Sequence, residues 1–158
     1  MNILVLCTGN SARSILLESI FNTLGAGRIR AFSAGSNPTG EVHPQSLVLL
    51  EELGHDTAGA RSKSWDEFAV QGAPEMDMVI TVCASAAGET CPIWPGAPVR
   101  AHWGVADPAA ADQPEWDTAF RAAYATLDKR AKALLDLPFE TMNATELTQQ
   151  LKRIGEIQ

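Results

Sequence analysis

The chain opens on Ile3-Leu4-Val5-Leu6, four apolar positions with no polar alternation, the pattern of a strand covered on both faces in a parallel sheet. The period then changes. Leu16, Leu17, Ile20, Phe21 and Leu24 recur at i, i+1, i+4, i+5 and i+8 until Gly25-Ala26-Gly27 stops them, which predicts an amphipathic helix. Ile29 to Ala34 reads as a second strand, and Pro44 to Leu53, closed by Gly54, as a second helix. Met76 to Val82 predicts a third strand, and Pro98 to Trp103 a fourth whose proline suits a sheet edge. The longest helix is expected from Gln113 to Asp136, with Trp116, Phe120, Ala123, Tyr124, Leu127, Ala131 and Leu134 on one face. Asp112 and Glu115 are placed to form its capping box, and Pro138 lies past its end. A last helix begins near Asn143, with Glu146 as its reciprocal cap.

Strands alternating with helices, and no repeats or linkers, predict a single α/β domain over residues 1–158. The expected architecture is a doubly wound, four-stranded parallel sheet flanked by helices. In such sheets ligands bind beyond the carboxyl ends of the strands. Cys7 follows the first predicted strand, Cys83 the third, and Asp107 lies a few residues past the fourth. All three therefore belong at the same end of the sheet.

Composition narrows the classes. With 158 residues, 46% of them hydrophobic, the chain suffices for one domain with a real core. Its 12 basic and 19 acidic residues give a formal charge of -7, which repels polyphosphate backbones and argues against nucleic acid as a partner. No apolar run approaches the ~18 residues of a membrane span, and no basic leader precedes the first strand, so a cytoplasmic protein without a membrane partner is expected. Cys7, Cys83 and Cys91 are odd in number and widely spaced, poor material for a secreted disulfide framework. His43, His55 and His102 lie near no close cysteine pair, so no metal site is expected.

The segment Cys7-Thr8-Gly9-Asn10-Ser11-Ala12-Arg13-Ser14 sits between a buried strand and a helix. A loop so placed turns successive backbone N–H groups into one concavity at a helix N-terminus, which holds a tetrahedral oxyanion. Gly9 and Asn10 tolerate the positive φ that such a nest requires, and Arg13 has the fork to grip two oxygens. The same amides and guanidinium are expected to favour a thiolate at Cys7, with Ser14 able to donate its hydroxyl to the sulfur. One constellation thus binds an anion and activates a nucleophile.

Cys-x5-Arg-Ser near the start of the chain, with Asp-Pro beyond the fourth strand, resembles the low-molecular-weight tyrosine phosphatase fold. Within that fold the sequence is most similar to the arsenate reductases. The likeness runs through CTGNSARS, FSAG at Phe32 to Gly35, VITVC at Val79 to Cys83, Cys91-Pro92, and AHWGVADP at Ala101 to Pro108. It implies reduction of arsenate to arsenite by a thiol relay for arsenic detoxification, with Cys7 as nucleophile, Asp107 as general acid, and Cys83 then Cys91 carrying the disulfide. It implies no bound cofactor, an external dithiol reductant, thioredoxin or glutaredoxin, as partner, and a monomer. Eight residues of helix at about 1.5 Å each would hold Cys83 and Cys91 ~12 Å apart, whereas a disulfide tolerates about 7 Å between Cα atoms. Oxidation is therefore expected to remodel residues 83 to 91.

The sequence also departs from the family. Some arsenate reductases of this fold hold potassium behind the anion loop with ligands that match Asn10, Glu18 and Ser33 here. Where a further carboxylate is expected, this chain has Lys63. Its ammonium could take the cation's place beside Glu18, which argues against potassium dependence. The spacing Cys83-x7-Cys91 is one residue longer than the C-x6-C of thioredoxin-coupled members. Two other readings stand beside the reductase: a phosphatase that hydrolyses phosphate monoesters through a phosphocysteine, and a protein that binds an oxyanion or arsenite without turnover.

Overall fold

The computed structural model describes residues 1–83, 94, 96 and 98–158. Four strands, β1 (Asn2–Cys7), β2 (Arg30–Gly35), β3 (Met78–Thr81) and β4 (Val99–His102), pair in parallel in the order β2-β1-β3-β4. The register sets Leu4 beside Phe32 and Val79, and Cys7 beside Gly35, so the strands end nearly level. The unbroken apolar run of β1 has the predicted cause, since both of its faces are covered. Ile3, Val5 and Cys7 pack on one face with Met78, Ile80 and Phe21, while Leu4 and Leu6 pack on the other with Phe68, Met76 and Trp94.

The first face carries α1 (Arg13–Leu24), α2 (Pro44–Glu52), α3 (Trp116–Leu135) and α4 (Ala144–Ile154). On α3 the predicted apolar positions Phe120, Ala123, Leu127, Ala131 and Leu134 are buried. The second face is closed among the described residues by the loop that ends in a 3-10 turn at Trp65–Phe68 and by Trp94. The edge position of β4 accommodates the proline just before it.

The capping box expected at Asp112 and Glu115 does not form. Gln113–Glu115 make a 3-10 turn, no side chain caps it, and α3 proper begins at Trp116. Pro114 follows Gln113, and a tight turn closed by Glu115 N–H on the Asp112 carbonyl at 2.8 Å replaces the side-chain cap. At α4 the Asn143 half of the expected box forms, with Asn143 Oδ1 accepting from the Glu146 N–H at 2.8 Å. The third strand starts at Met78, two residues later than expected, because Asn2 Nδ2 and the Asp77 N–H tie the preceding residues to the start of β1 by single bonds. No helix among the described residues is long and apolar enough to cross a membrane.

Candidate active site

The loop between β1 and α1 is shaped by where its carbonyls point. Thr8 O accepts from Asn37 N–H at 3.0 Å, and Gly9 O accepts from Thr39 N–H at 3.0 Å and from Ser62 Oγ at 3.1 Å. Ser11 O accepts from His43 N–H at 3.0 Å and from Ser46 Oγ at 2.9 Å. In a planar trans peptide the following N–H points the opposite way, so Gly9, Asn10 and Ala12 turn their N–H groups away from these partners and toward the concave side. No acceptor among the described residues takes them. The helix that follows has no side-chain N-cap, which leaves its first amides and dipole to the same concavity.

Asn10 holds the nest in shape. It is the one non-glycine among the described residues at positive φ, +48°. Its fully buried amide donates to Ser14 Oγ at 2.8 Å and Ser33 Oγ at 3.0 Å, and accepts from the Lys63 N–H at 2.9 Å. Gly35 permits the close approach of the loop to β2: a Cβ there would lie 2.3 Å from Thr8 O. Behind the loop, Lys63 Nζ is buried 3.4 Å from Ser33 Oγ, 3.1 Å from Arg61 O and 3.7 Å from Glu18 Oε2. Burial pushes the Glu18 carboxyl up and the Lys63 ammonium down, and each partly offsets the other's shift. The ammonium and three of the groups expected around a cation thus stand together.

In front of the loop, a cavity of about 510 Å³ is lined by Cys7, Thr8–Arg13, Cys83 and Asp107, with Thr39 and Ala109 at its rim. The Cys83 thiol accepts from Thr8 N–H at 3.3 Å, lies 3.5 Å from Thr8 Oγ1, and hydrogen-bonds with Cys7. Both cysteines are free and buried. Cys91 and the segment expected to remodel on oxidation lie outside the described residues, apart from Cys83 itself.

Arg13 divides its guanidinium. Nη1 donates to Val105 O at 3.1 Å and Nη2 lies 3.5 Å from Asp107 Oδ2, while the buried Nε has no hydrogen-bond partner among the described residues. The Nε–Nη2 edge is the one that a bidentate oxyanion would use. Asp107 is fixed by its other oxygen, since Oδ1 caps a 3-10 turn by accepting from Ala109 N–H at 3.0 Å.

The thiol chemistry differs from the expectation of a resting thiolate. Hydrogen bonding to Cys83, followed by burial, pushes the Cys7 thiol well up, against the downward pull of Arg13 and the Thr8 N–H. Hydrogen-bonded to a second thiol and buried, Cys7 keeps its proton, and the sequence could not reveal that Cys83 would be so close. Sequence reading also passed over the groups that orient the loop, Gly35, Ser46 and Ser62. The FSAG motif carried a signal for Gly35, but the two serines carried none.

A parallel α/β sheet whose first strand delivers a cysteine into an amide nest, with arginine at the helix start and aspartate across the mouth, defines a cysteine-dependent oxyanion enzyme. The chain belongs to the low molecular weight phosphotyrosine protein phosphatase family, which it matches over residues 2–153. It is 34% identical over 134 residues to an arsenate reductase of Halalkalibacterium halodurans, covering 83% of this chain and 92% of that protein. A glutaredoxin arsenate reductase of Synechocystis is 32% identical over 67% of this chain and 77% of its own length. Among solved structures, an arsenate reductase in its phosphate-binding state superposes with a TM-score of 0.70 at 27% identity, over 85% of this chain and 96% of the other.

Proposed function

We infer that the chain is an arsenate reductase, an enzyme that reduces arsenate to arsenite through cysteine thiols. The observation that carries this reading is the second thiol: Cys83 sits against Cys7 and the Thr8 amide at the mouth of the oxyanion cradle. A phosphatase needs one thiolate, one arginine and one acid. Reduction of As(V) needs two electrons as well, and a neighbouring thiol supplies the route for them.

The amide nest and Arg13 hold arsenate; Cys7 passes its thiol proton to an arsenate oxygen as its Sγ bonds to arsenic, and the departing hydroxide leaves as water with a proton from Asp107. Ser14, oriented by Asn10, keeps its hydroxyl proton to donate to the attacking sulfur. Cys83 Sγ then attacks Cys7 Sγ. The Cys83 proton passes to an arsenic-bound oxygen, the S–As bond breaks with its electron pair going to arsenic, which becomes As(III), and a Cys7–Cys83 disulfide forms. Cys91 resolves this bond to a Cys83–Cys91 disulfide, and an external dithiol protein of the thioredoxin or glutaredoxin class reopens it by exchange. A reducing compartment such as the cytoplasm suits that cycle.

The test is arsenite release from purified protein with arsenate, thioredoxin, thioredoxin reductase and NADPH, alongside Cys7→Ser, Cys83→Ser and Cys91→Ser. Sustained turnover by the wild type and its loss in all three variants is expected, with phosphate binding kept in the variants at 83 and 91. Phosphatase is the second reading, supported by the family and by a cradle that suits phosphate equally. Hydrolysis of an aryl phosphate that survives Cys83→Ser, without arsenite production, would establish it instead.

A further inference from the structure

Two consecutive carbonyls of the loop that leads into Asp107 are each held by a guanidinium. Val105 O accepts from Arg13 Nη1 at 3.1 Å, and Gly104 O accepts from Arg130 Nη1 at 3.2 Å. Arg130 lies on α3 and is 2% exposed. Its Nε donates to Ile157 O at 2.9 Å, and no carboxylate among the described residues pairs with it. Burial pushes this guanidinium below its ordinary range. A buried cation compensated only by carbonyls is costly, and on stability alone a well-packed apolar side chain would serve as well. What an apolar chain could not supply is a directed hold on the Gly104 carbonyl.

The two arginines differ in what else they do. Arg13 also lines the cradle and faces Asp107, so its grip on Val105 would be shared with a bound oxyanion. Arg130 is absent from the cradle lining and lines instead an adjoining cavity of about 560 Å³, which shares Arg13 and Asp107 with the cradle. Its hold on the loop is therefore independent of cradle occupancy.

We propose that Arg130 is a positioning residue that acts through Asp107: by anchoring Gly104 to α3 and to the Ile157 carbonyl, it keeps the aspartate at the mouth of the cradle while Arg13 is engaged by the oxyanion. This rests on Asp107 serving as the acid in the reaction inferred above.

A double-mutant cycle on the full chain tests it, reading the single-turnover rate of arsenite formation and the arsenate concentration for half-saturation. Arg130→Met is expected to slow the single turnover about tenfold with half-saturation changed less than about twofold, a part of the 10²–10⁴ that general acid catalysis supplies. In the Asp107→Asn background the same substitution is expected to cost less than about twofold, because residues acting as one unit are not additive. Equal losses in both backgrounds, or weaker half-saturation with the rate unchanged, would overturn the proposal. If Asp107→Asn leaves the rate untouched, the acid assignment fails, a result separable from the first. Should the methionine variant not fold, Arg130→Gln, which keeps an N–H donor on a shorter stem, enters the same cycle with the same readings.

Discussion

At the scale of single residues, the site works by contrast between its two thiols. Cys7 is held protonated chiefly by its hydrogen bond to Cys83 and then by burial, while Arg13 pulls the other way. Removing the first cause should release the nucleophile: Cys83→Ala is expected to alkylate at Cys7 with iodoacetamide several-fold faster than wild type at neutral pH, since the thiolate is the reacting species. Mass mapping of the modified cysteine with a rate series checks it, and an unchanged rate would remove Cys83 from control of Cys7. The buried Lys63–Glu18 pair gives a second case. Glu18 is raised by burial and lowered by Lys63, so as pH rises past the ordinary carboxyl range the unfolded chain gives up its proton first and the folded state loses stability. Lys63→Met removes the lowering partner. Its stability deficit in urea titrations is expected to grow from pH 5 to pH 7.5, toward the ~3–5 kcal/mol seen when one member of a buried pair is removed. Wild-type turnover should be equal in potassium and sodium salts of the same ionic strength.

At the scale of elements, the helices owe their places to stripes that the sequence displays openly, and their ends to chemistry that it displays less well. Asn143 caps α4 as its spacing suggests, whereas Asp112 is displaced by a 3-10 turn that Pro114 favours. The turn after α1 shows what no local pattern signals. Arg28 donates to Leu135 O and Leu137 O, pairs with both oxygens of Glu140, and lies over the Phe139 ring at 4.4 Å, tying that turn to the end of α3. Arg28 draws the Glu140 carboxyl down to about 2. The pair's contribution is therefore complete above the ordinary carboxyl range and lost as pH falls toward 2. Arg28→Met should lower the melting temperature at pH 7, and its difference from wild type should shrink between pH 5 and pH 2.5 in scanning calorimetry.

For the whole molecule, folding and oxyanion binding are one equilibrium. The cradle exists only when β1, the 37–46 segment and Ser62 are all in place, so a ligand bound there stabilises the native state by mass action, about 2.7 kcal/mol at a hundredfold excess over Kd. Phosphate or arsenate is thus expected to raise the melting temperature of wild type in proportion to log concentration. In Gly35→Ala, whose Cβ would meet Thr8 O at 2.3 Å, both the ligand-free stability, by about 1–3 kcal/mol, and the ligand-dependent rise should fall. A Gly35→Ala protein with the full phosphate response would detach this glycine from the cradle.

The order of strands and helices, the two buried faces of β1 and the grouping of Cys7, Cys83 and Asp107 at one end of the sheet follow from local periodicity and the rules of parallel sheets, and so were open to reading from the chain alone. The loop Cys7–Ser14 was likewise legible, because an amide nest at a helix start needs a short run of small and turn-forming residues in sequence. Contacts between residues far apart in the chain were not. That Cys83 touches Cys7 and suppresses its ionisation, that Ser46 and Ser62 turn the loop carbonyls outward, and that Arg130 holds Gly104 depend on the packing of separate elements. Distances and desolvation across such packing are set only when the fold closes, and thiols seventy-six positions apart then meet, the one holding the proton on the other.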